Sequence, residues 1–283
     1  MLSISKLPAC CPYIIMRKIG EGGGGQVYQA MHKETKDCVA IKVINKEDIT
    51  HYLLFDGNQV PAEIVLLAKL SHPNIVKYID YFKYLEHWCL VMEYLSEYRA
   101  LFEYSCDLGM ISERVTQCIT QQLFKTIRYC YKKNVDHCDI KDTNVMVNPK
   151  NSHIKIVDFG WGRLIKNEPY TAMQGTPLFL PPELYISNSY MPIPGSIWAI
   201  GCFVFTCLTG KIPFNSTNKI KSHAVPWEFL PKNLSTECHD FLRACFSEAV
   251  CDRDDFKIMA EYAWIRNNGK RSISIYSKSQ LHA

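Results

Sequence analysis

Between Tyr13 and Tyr94 the chain runs in short segments where β-branched and aromatic residues cluster between glycine, asparagine or charged turns: 14–19, 27–32, 38–44, 75–82 and 88–94. Segments of this length and make-up predict strands, because such side chains fit a pleated, half-buried surface. One stretch departs from that rhythm. Val60, Ile64, Leu67 and Ala68 recur at helical spacing around Pro61, a residue suited to a first turn, so a helix is predicted over about 61–70. Beyond Tyr94 the helical period takes over. Ser112 reads as an N-cap, and Val115, Cys118, Ile119, Gln122, Thr126 and Cys130 trace one stripe of a long helix. A further helix is predicted over 196–208 and more after Ser235. The pattern describes an α+β chain, a small β-rich lobe with one major helix followed by a larger, mainly helical lobe.

Composition narrows the picture. The 283 residues are 47% apolar and 21% charged, the balance of a folded globular protein with room for one large domain or two lobes around a shared cleft. The longest apolar run, Ile197 to Leu208, is about a dozen residues, short of the roughly 20 that span a bilayer, and reads as a buried helix. Lys and Arg number 32 against 28 Asp and Glu, and the net +4 is spread along the chain, so no nucleic-acid partner is implied. The 13 cysteines contain no C-x-x-C pair and no zinc-ligand spacing, which points to reduced thiols serving as small core residues. The first residues lack the pattern of a secretory signal.

Candidate chemistry begins at 20–27, where Gly20, Gly22 and Gly25 form a G-x-G-x-x-G-x-V ending at Val27. Glycines here let backbone N–H groups approach phosphate oxygens, although a plain hairpin turn explains the same residues. No G-K-[ST] follows, against a P-loop, and a strand follows instead of a helix, against a dinucleotide fingerprint. Lys42 alternates out of the apolar run 39–42, and Glu63 lies in the predicted helix, where it can pair with that lysine. The run 137–144 offers a carboxylate at Asp139, an ammonium at Lys141 and an amide at Asn144 in one loop, suited to orienting a hydroxyl, neutralising phosphate and holding a metal. Asp158 follows another short strand, in Asp158-Phe159-Gly160. Further on stand Gly175-Thr176-Pro177 and Pro181-Pro182-Glu183, and Glu183 is expected to meet Arg253.

In this order and at these distances, over about 13–265, the motifs resemble those of a eukaryotic protein kinase. Lys141 and Thr176 are features of the serine/threonine branch, whose threonine approaches the catalytic aspartate and lysine. Within that branch the chain is most similar to the Pim family: GEGGGGQVY, VPAEIVLLAKL, HCDIKDTN, the segment DFGWGRLIKNEPYTAMQGTPLFLPPE and the stretch STECHDFLRACFSEAVCDRDDF all resemble Pim counterparts, and 93–102 keeps the long Pim hinge.

The resemblance implies a two-lobed kinase fold at 13–265, with an N-lobe at 13–92, a hinge at 93–101 and a C-lobe at 102–265, flanked by an extension at 1–12 and a loose tail at 266–283. It implies ATP and Mg²⁺, with Lys42, Glu63, Asp139 and Lys141 catalytic and Asn144 and Asp158 binding metal. ATP contacts are implied for Ile19, Gly20, Glu21, Gly22, Gly23, Gly24, Gly25, Val27, Ala40, Lys42, Met92, Glu93, Leu95 and Met146. Among these Met92 is the gatekeeper, and Leu95 restores an N–H donor where Pim has proline. The implied partners are proteins bearing Ser or Thr in a basic context, with no nucleic acid or membrane. A monomer in the cytoplasm or nucleus is implied as well.

The chain departs from the family pattern at several positions. Cys138 replaces the arginine that answers a charged activation segment, and Ala172 and Gln174 replace acidic residues there, so activity without activation-segment phosphorylation is expected. Ser196 replaces an aspartate that most kinases carry and Pim kinases lack. Gly24 replaces an aromatic at the loop tip, Ala100 a ribose-contacting acid, and Thr143 a substrate-binding glutamate, leaving Asp142. An active protein kinase is the reading that the retained residues favour. A nucleotide-binding pseudokinase scaffold is the alternative that Cys138 and Gly24 raise, and a small-molecule kinase fits poorly with the Pro-Pro-Glu segment.

Overall fold

The computed structural model describes residues 8, 10–22, 24–166, 168–253 and 255–266, which form two compact units. Gly23, most of the N-terminal extension and the tail from 267, including the serines at 272 and 274, lie outside the described residues. One unit is the chain up to Ser96 together with Asp158–Gly162; the other is Glu97–Val157 with the chain from Arg163 onward.

The first unit is built on a five-stranded antiparallel sheet. Its strands are β1 (Tyr13–Gly22), β2 (Gly25–His32), β3 (Cys38–Ile44), β6 (Tyr78–Tyr84) and β7 (His87–Glu93), in the order β1-β2-β3-β7-β6. A small hairpin of β4 (Tyr52–Phe55) and β5 (Asn58–Pro61) leads into α1 (Ala62–Ala68). β3 is central and buried from Val39 to Ile44. Its period of two sends Val39, Ile41 and Val43 into a core with Tyr13, Tyr28, Cys89 and Val91, while Ala40 and Lys42 take the opposite face. The glycine run stands at the β1–β2 turn, where Gly22 pairs with Gly25. The strand expected from residue 75 begins at Tyr78; Ile75 and Val76 are buried but irregular.

In the second unit, β8 (Arg99–Ala100), α2 (Leu101–Leu108) and α3 (Glu113–Lys132) precede four short strands: β9 (Val135–Asp136), β10 (Val145–Val147), β11 (Ile154–Ile156) and β12 (Arg163–Leu164). β10 lies between β11 and β8, and β9 pairs with β12. Then come α4 (Pro182–Ser187), α5 (Pro192–Thr209), α6 (Thr217–Lys221), α7 (Thr236–Cys245), α8 (Phe256–Glu261) and α9 (Ala263–Arg266). Ser112 does stand at the start of α3, but its side chain makes no capping bond. The stripe on α3 is broader than its six predicted residues: Leu123, Phe124 and Ile127 are buried too.

α5 begins four residues before the predicted Ser196, because Pro192 at its first position needs no N–H partner there. By length and composition α5 could cross a membrane, yet 89% of it is buried inside the protein. Trp198 stacks on Phe214 with centroids 5.3 Å apart and meets Phe246 edge-on. Beside it the fully buried Arg253 reaches Glu183 at 3.0 Å, as expected, and also donates to the Pro194 carbonyl. All 13 cysteines are free thiols, and seven are buried.

Candidate active site

In the first unit, β3 and the first turn of α1 bring Lys42 and Glu63 together. Lys42 Nζ lies 2.7 Å from Glu63 Oε1 and 2.9 Å from Asp158 Oδ1, and the lysine and Glu63 are nearly fully buried. Two carboxylates share one ammonium. Burial disfavours the charged lysine, but the combined pull of Glu63 and Asp158 outweighs it and raises its pKa. Burial pushes Glu63 up to about 6, against the pull of Lys42 and with Asp158 adding to the rise. Asp158 holds a left-handed conformation, φ +63°, and its Oδ1 also accepts from the Gly160 N–H. Thr50 Oγ1 donates to the Gly160 carbonyl, a second tie on this segment.

The glycine turn approaches the same lysine. A Cβ built on Gly24 would lie 2.8 Å from Lys42 Nζ, whereas one on Gly22 would meet nothing. Glycine at 24 is therefore more than a flexible tip, because a side chain there must displace a lysine pinned between two acids. Ile19, Gly20 and Glu21 lie on β1, Val27 on β2, Ala40 on β3 beside Met92 of β7, and Glu93 and Leu95 at the end of β7 and just beyond. Met146 is on β10 of the second unit, paired with Ala100.

In the second unit, the loop between β9 and β10 gathers donors on Asp139, which is 4% exposed. Its Oδ1 accepts from Thr176 N–H at 2.9 Å and from the Thr176 hydroxyl at 2.7 Å. Its Oδ2 faces Lys141 Nζ at 2.8 Å and Asn144 Nδ2 at 2.9 Å. Lys141 also donates to Thr176 Oγ1 at 2.7 Å, so a carboxylate and an ammonium hold one aliphatic hydroxyl between them. His137, carrying its proton on Nε2, donates to the Val157 carbonyl and accepts the Asp139 N–H at Nδ1. Gly175 makes this approach possible: its φ is +99°, and a Cβ would fall 2.2 Å from the Cys138 carbonyl oxygen.

One neighbour escaped sequence reasoning. Asp136, 2% exposed, accepts from Tyr131 OH at 2.9 Å, from Cys138 N–H at 3.2 Å and from Ser196 Oγ at 3.4 Å. Burial raises its pKa, against the pull of its donors. The only signal was an acid directly before His137. Cys138 has φ +62° and packs against Tyr170, Leu180, Leu184 and Tyr190.

Among the described residues no three His, Cys, Asp or Glu gather into a metal-holding group. Mg²⁺ does not require one, since it keeps waters and takes one or two carboxylates plus phosphate oxygens. Asn144 spends its amide nitrogen on Asp139, which leaves its carbonyl oxygen as a hard ligand, and Asp158 supplies carboxylate oxygen. The donor chemistry fits.

Compared with known families, residues 13–265 match the protein kinase domain. The chain belongs to the protein kinase family. This kinase is similar to serine/threonine-protein kinase pim-2 of Danio rerio, 26% identical over 280 residues that cover 95% of this chain and 89% of the relative. It is similar to serine/threonine-protein kinase prk-2 of Caenorhabditis elegans, 27% identical over 257 residues, 90% of this chain and 58% of the relative. Sperm motility kinase 2B of Mus musculus is 30% identical over 234 residues, 81% of this chain and 47% of the relative. The chain thus spans about half the length of the last two. It is a serine/threonine protein kinase by family, with a distant likeness to Pim, and that family works with ATP, usually with Mg²⁺, on protein substrates.

Proposed function

We propose that this kinase is catalytically active and transfers the γ-phosphoryl group of ATP to Ser or Thr side chains of proteins. The observation that carries this is the Asp139 cluster, where a carboxylate anchored by four donors and an adjacent ammonium already hold an alcohol hydroxyl. A scaffold without turnover has no need of that arrangement.

In this reading Asp139 accepts the hydrogen bond of the substrate hydroxyl and aims its oxygen at phosphorus, while Lys141 offsets the charge that develops on the transferring group. Lys42, fixed by Glu63, presents its ammonium to the α- and β-phosphates, and the backbone of the glycine turn offers N–H groups to phosphate oxygens. Met92, Glu93 and Leu95 supply the adenine contacts, and Ile19 and Ala40 its apolar walls. Asn144 and Asp158 each offer a hard oxygen ligand suited to Mg²⁺, which when bound neutralises phosphate charge.

Cys138 supports activity without activation-segment phosphorylation. Where an arginine would need an anionic partner, a neutral thiol sits in an apolar cluster with Tyr170 and Tyr190, whose backbones pair at 2.8 and 3.0 Å. Arg163 lies over the Tyr170 ring at 4.3 Å, a further tie that needs no phosphate. A basic-substrate preference has weaker support, because Asp142 is itself buried, 7% exposed, and accepts the Thr143 N–H. Substrates with neutral flanks should serve nearly as well as arginine-rich ones.

The test is transfer from Mg·ATP to basic and neutral Ser/Thr peptides, before and after phosphatase treatment, against Asp139→Asn. Transfer indifferent to phosphatase, falling at least about 10²-fold in the variant, is expected. Nucleotide binding without transfer would favour the pseudokinase reading.

A further inference from the structure

The buried carboxylate of Asp136 has no part in the chemistry described so far, and it stands three residues before Asp139. We infer that Asp136 is the positioning residue of the catalytic loop, holding Cys138 in its left-handed turn so that Asp139 faces Thr176 and Lys141. This deepens the reading above and rests on it.

A non-glycine residue at φ +62° is sparsely populated and persists only where its surroundings determine it. The Cys138 N–H, at that turn, donates to Asp136 Oδ1. Asp136 is fixed in turn from two helices: Tyr131 of α3 donates to Oδ2 and Ser196 of α5 to Oδ1, and the two hydroxyls lie 3.1 Å from each other. An acid at this point therefore ties the catalytic loop to both helices. α5 carries no carboxylate of its own, and at this point it presents Ser196, which donates to Asp136. A cavity of about 20 Å³, lined in part by Asp136, Cys138, Gly195, Ser196 and Ala199, leaves space beside Ser196 for a longer side chain. The same anchoring could thus be delivered from the helix side.

The experiment relocates the acid. Asp136→Leu removes every acceptor and should slow kcat about 100-fold, the penalty of a misaligned catalytic group, with KM for ATP within about threefold. Asp136→Asn keeps one acceptor oxygen for the Cys138 N–H and should retain kcat within about fivefold. In Asp136→Leu/Ser196→Asp the restored carboxylate should recover at least about tenfold of the lost rate. Hydrogen exchange at the Cys138 amide gives a readout independent of turnover: slow in wild type, at least about tenfold faster in Asp136→Leu, slow again in the double variant. A folded Asp136→Leu with wild-type kcat and exchange overturns the inference. So does a double variant that recovers neither rate nor protection, including one that fails to rescue folding if Asp136→Leu alone does not fold. If the wild type transfers no phosphate, the kinase reading falls, and the exchange pattern still decides the role of Asp136.

Discussion

Replacing Thr176 by Val keeps the branched shape and removes one hydroxyl. That hydroxyl donates to Asp139 Oδ1 and accepts from Lys141 Nζ, both at 2.7 Å. Asp139 keeps the Thr176 N–H, Asn144 and Lys141, so its carboxylate stays anchored and the fold should hold. What disappears is one hydrogen bond to each of two charged groups, each worth about 1.5–3 kcal/mol. Because Asp139 and Lys141 remain paired, the two losses overlap, and about 2–3 kcal/mol is the working sum. Expressed on the barrier, that slows kcat by about 30- to 150-fold. KM for ATP should change less than about threefold, since nothing touching Lys42 is altered. Steady-state transfer to a Ser/Thr peptide, with wild type, Thr176→Val and Thr176→Ser run beside melting curves, measures it. The serine variant should stay near the wild-type rate. A valine variant as fast as wild type, or a serine variant as slow as the valine one, refutes the reasoning.

Two further outcomes follow from the geometry. Glu63 titrates at about 6 in the folded protein, above its ordinary 4.5, so the folded state binds this proton first. Acidification from pH 7 to 5 should then favour the fold through this group while removing the anion opposite Lys42. The kcat/KM profile should show an acid limb near that value, absent in a slower Glu63→Gln; a limb that survives in the variant belongs to another group. Gly175→Ala forces a Cβ onto the Cys138 carbonyl at a φ of +99°, and should cost about 1–3 kcal/mol, several degrees of melting temperature, along with slower transfer. A thermogram matching wild type would show that the loop yields without strain.

Much of this molecule was legible where local chemistry decides the outcome. The strand period at 38–44 put Lys42 on the face opposite the apolar core, and helical spacing put Glu63 in a first turn, because both positions follow from two- and four-residue rhythms. The β4–β5 hairpin was missed although its Asp56-Gly57 turn, with φ of +48° and +78°, is a strong hairpin signal. β4, Tyr52-Leu53-Leu54-Phe55, is apolar at every position, so its half-buried alternation leaves no polar–apolar rhythm in the sequence. Pro61 accordingly ends β5 and caps α1 from outside, where the spacing had suggested the first turn. α2 went unpredicted as a separate element because the exposed Phe102 and Cys106 blur the helical period of the buried Leu101 and Tyr104. Asp136 was invisible for a different reason. Its importance lies in donors from α3 and α5 that only the folded chain assembles, and a lone acid in a sequence says nothing about who will donate to it.

The membership of Asp158–Gly162 in the unit that otherwise ends at Ser96 puts the linear order of the chain out of step with its architecture. A peptide stopped at Ser96 would carry Lys42 and Glu63 but leave their second acid on another molecule. Recombination, fusion or splitting at that apparent boundary would divide an ion cluster, so the β-rich half cannot be passed on as a contiguous cassette. Its chemistry can be inherited only together with a five-residue stretch encoded far downstream.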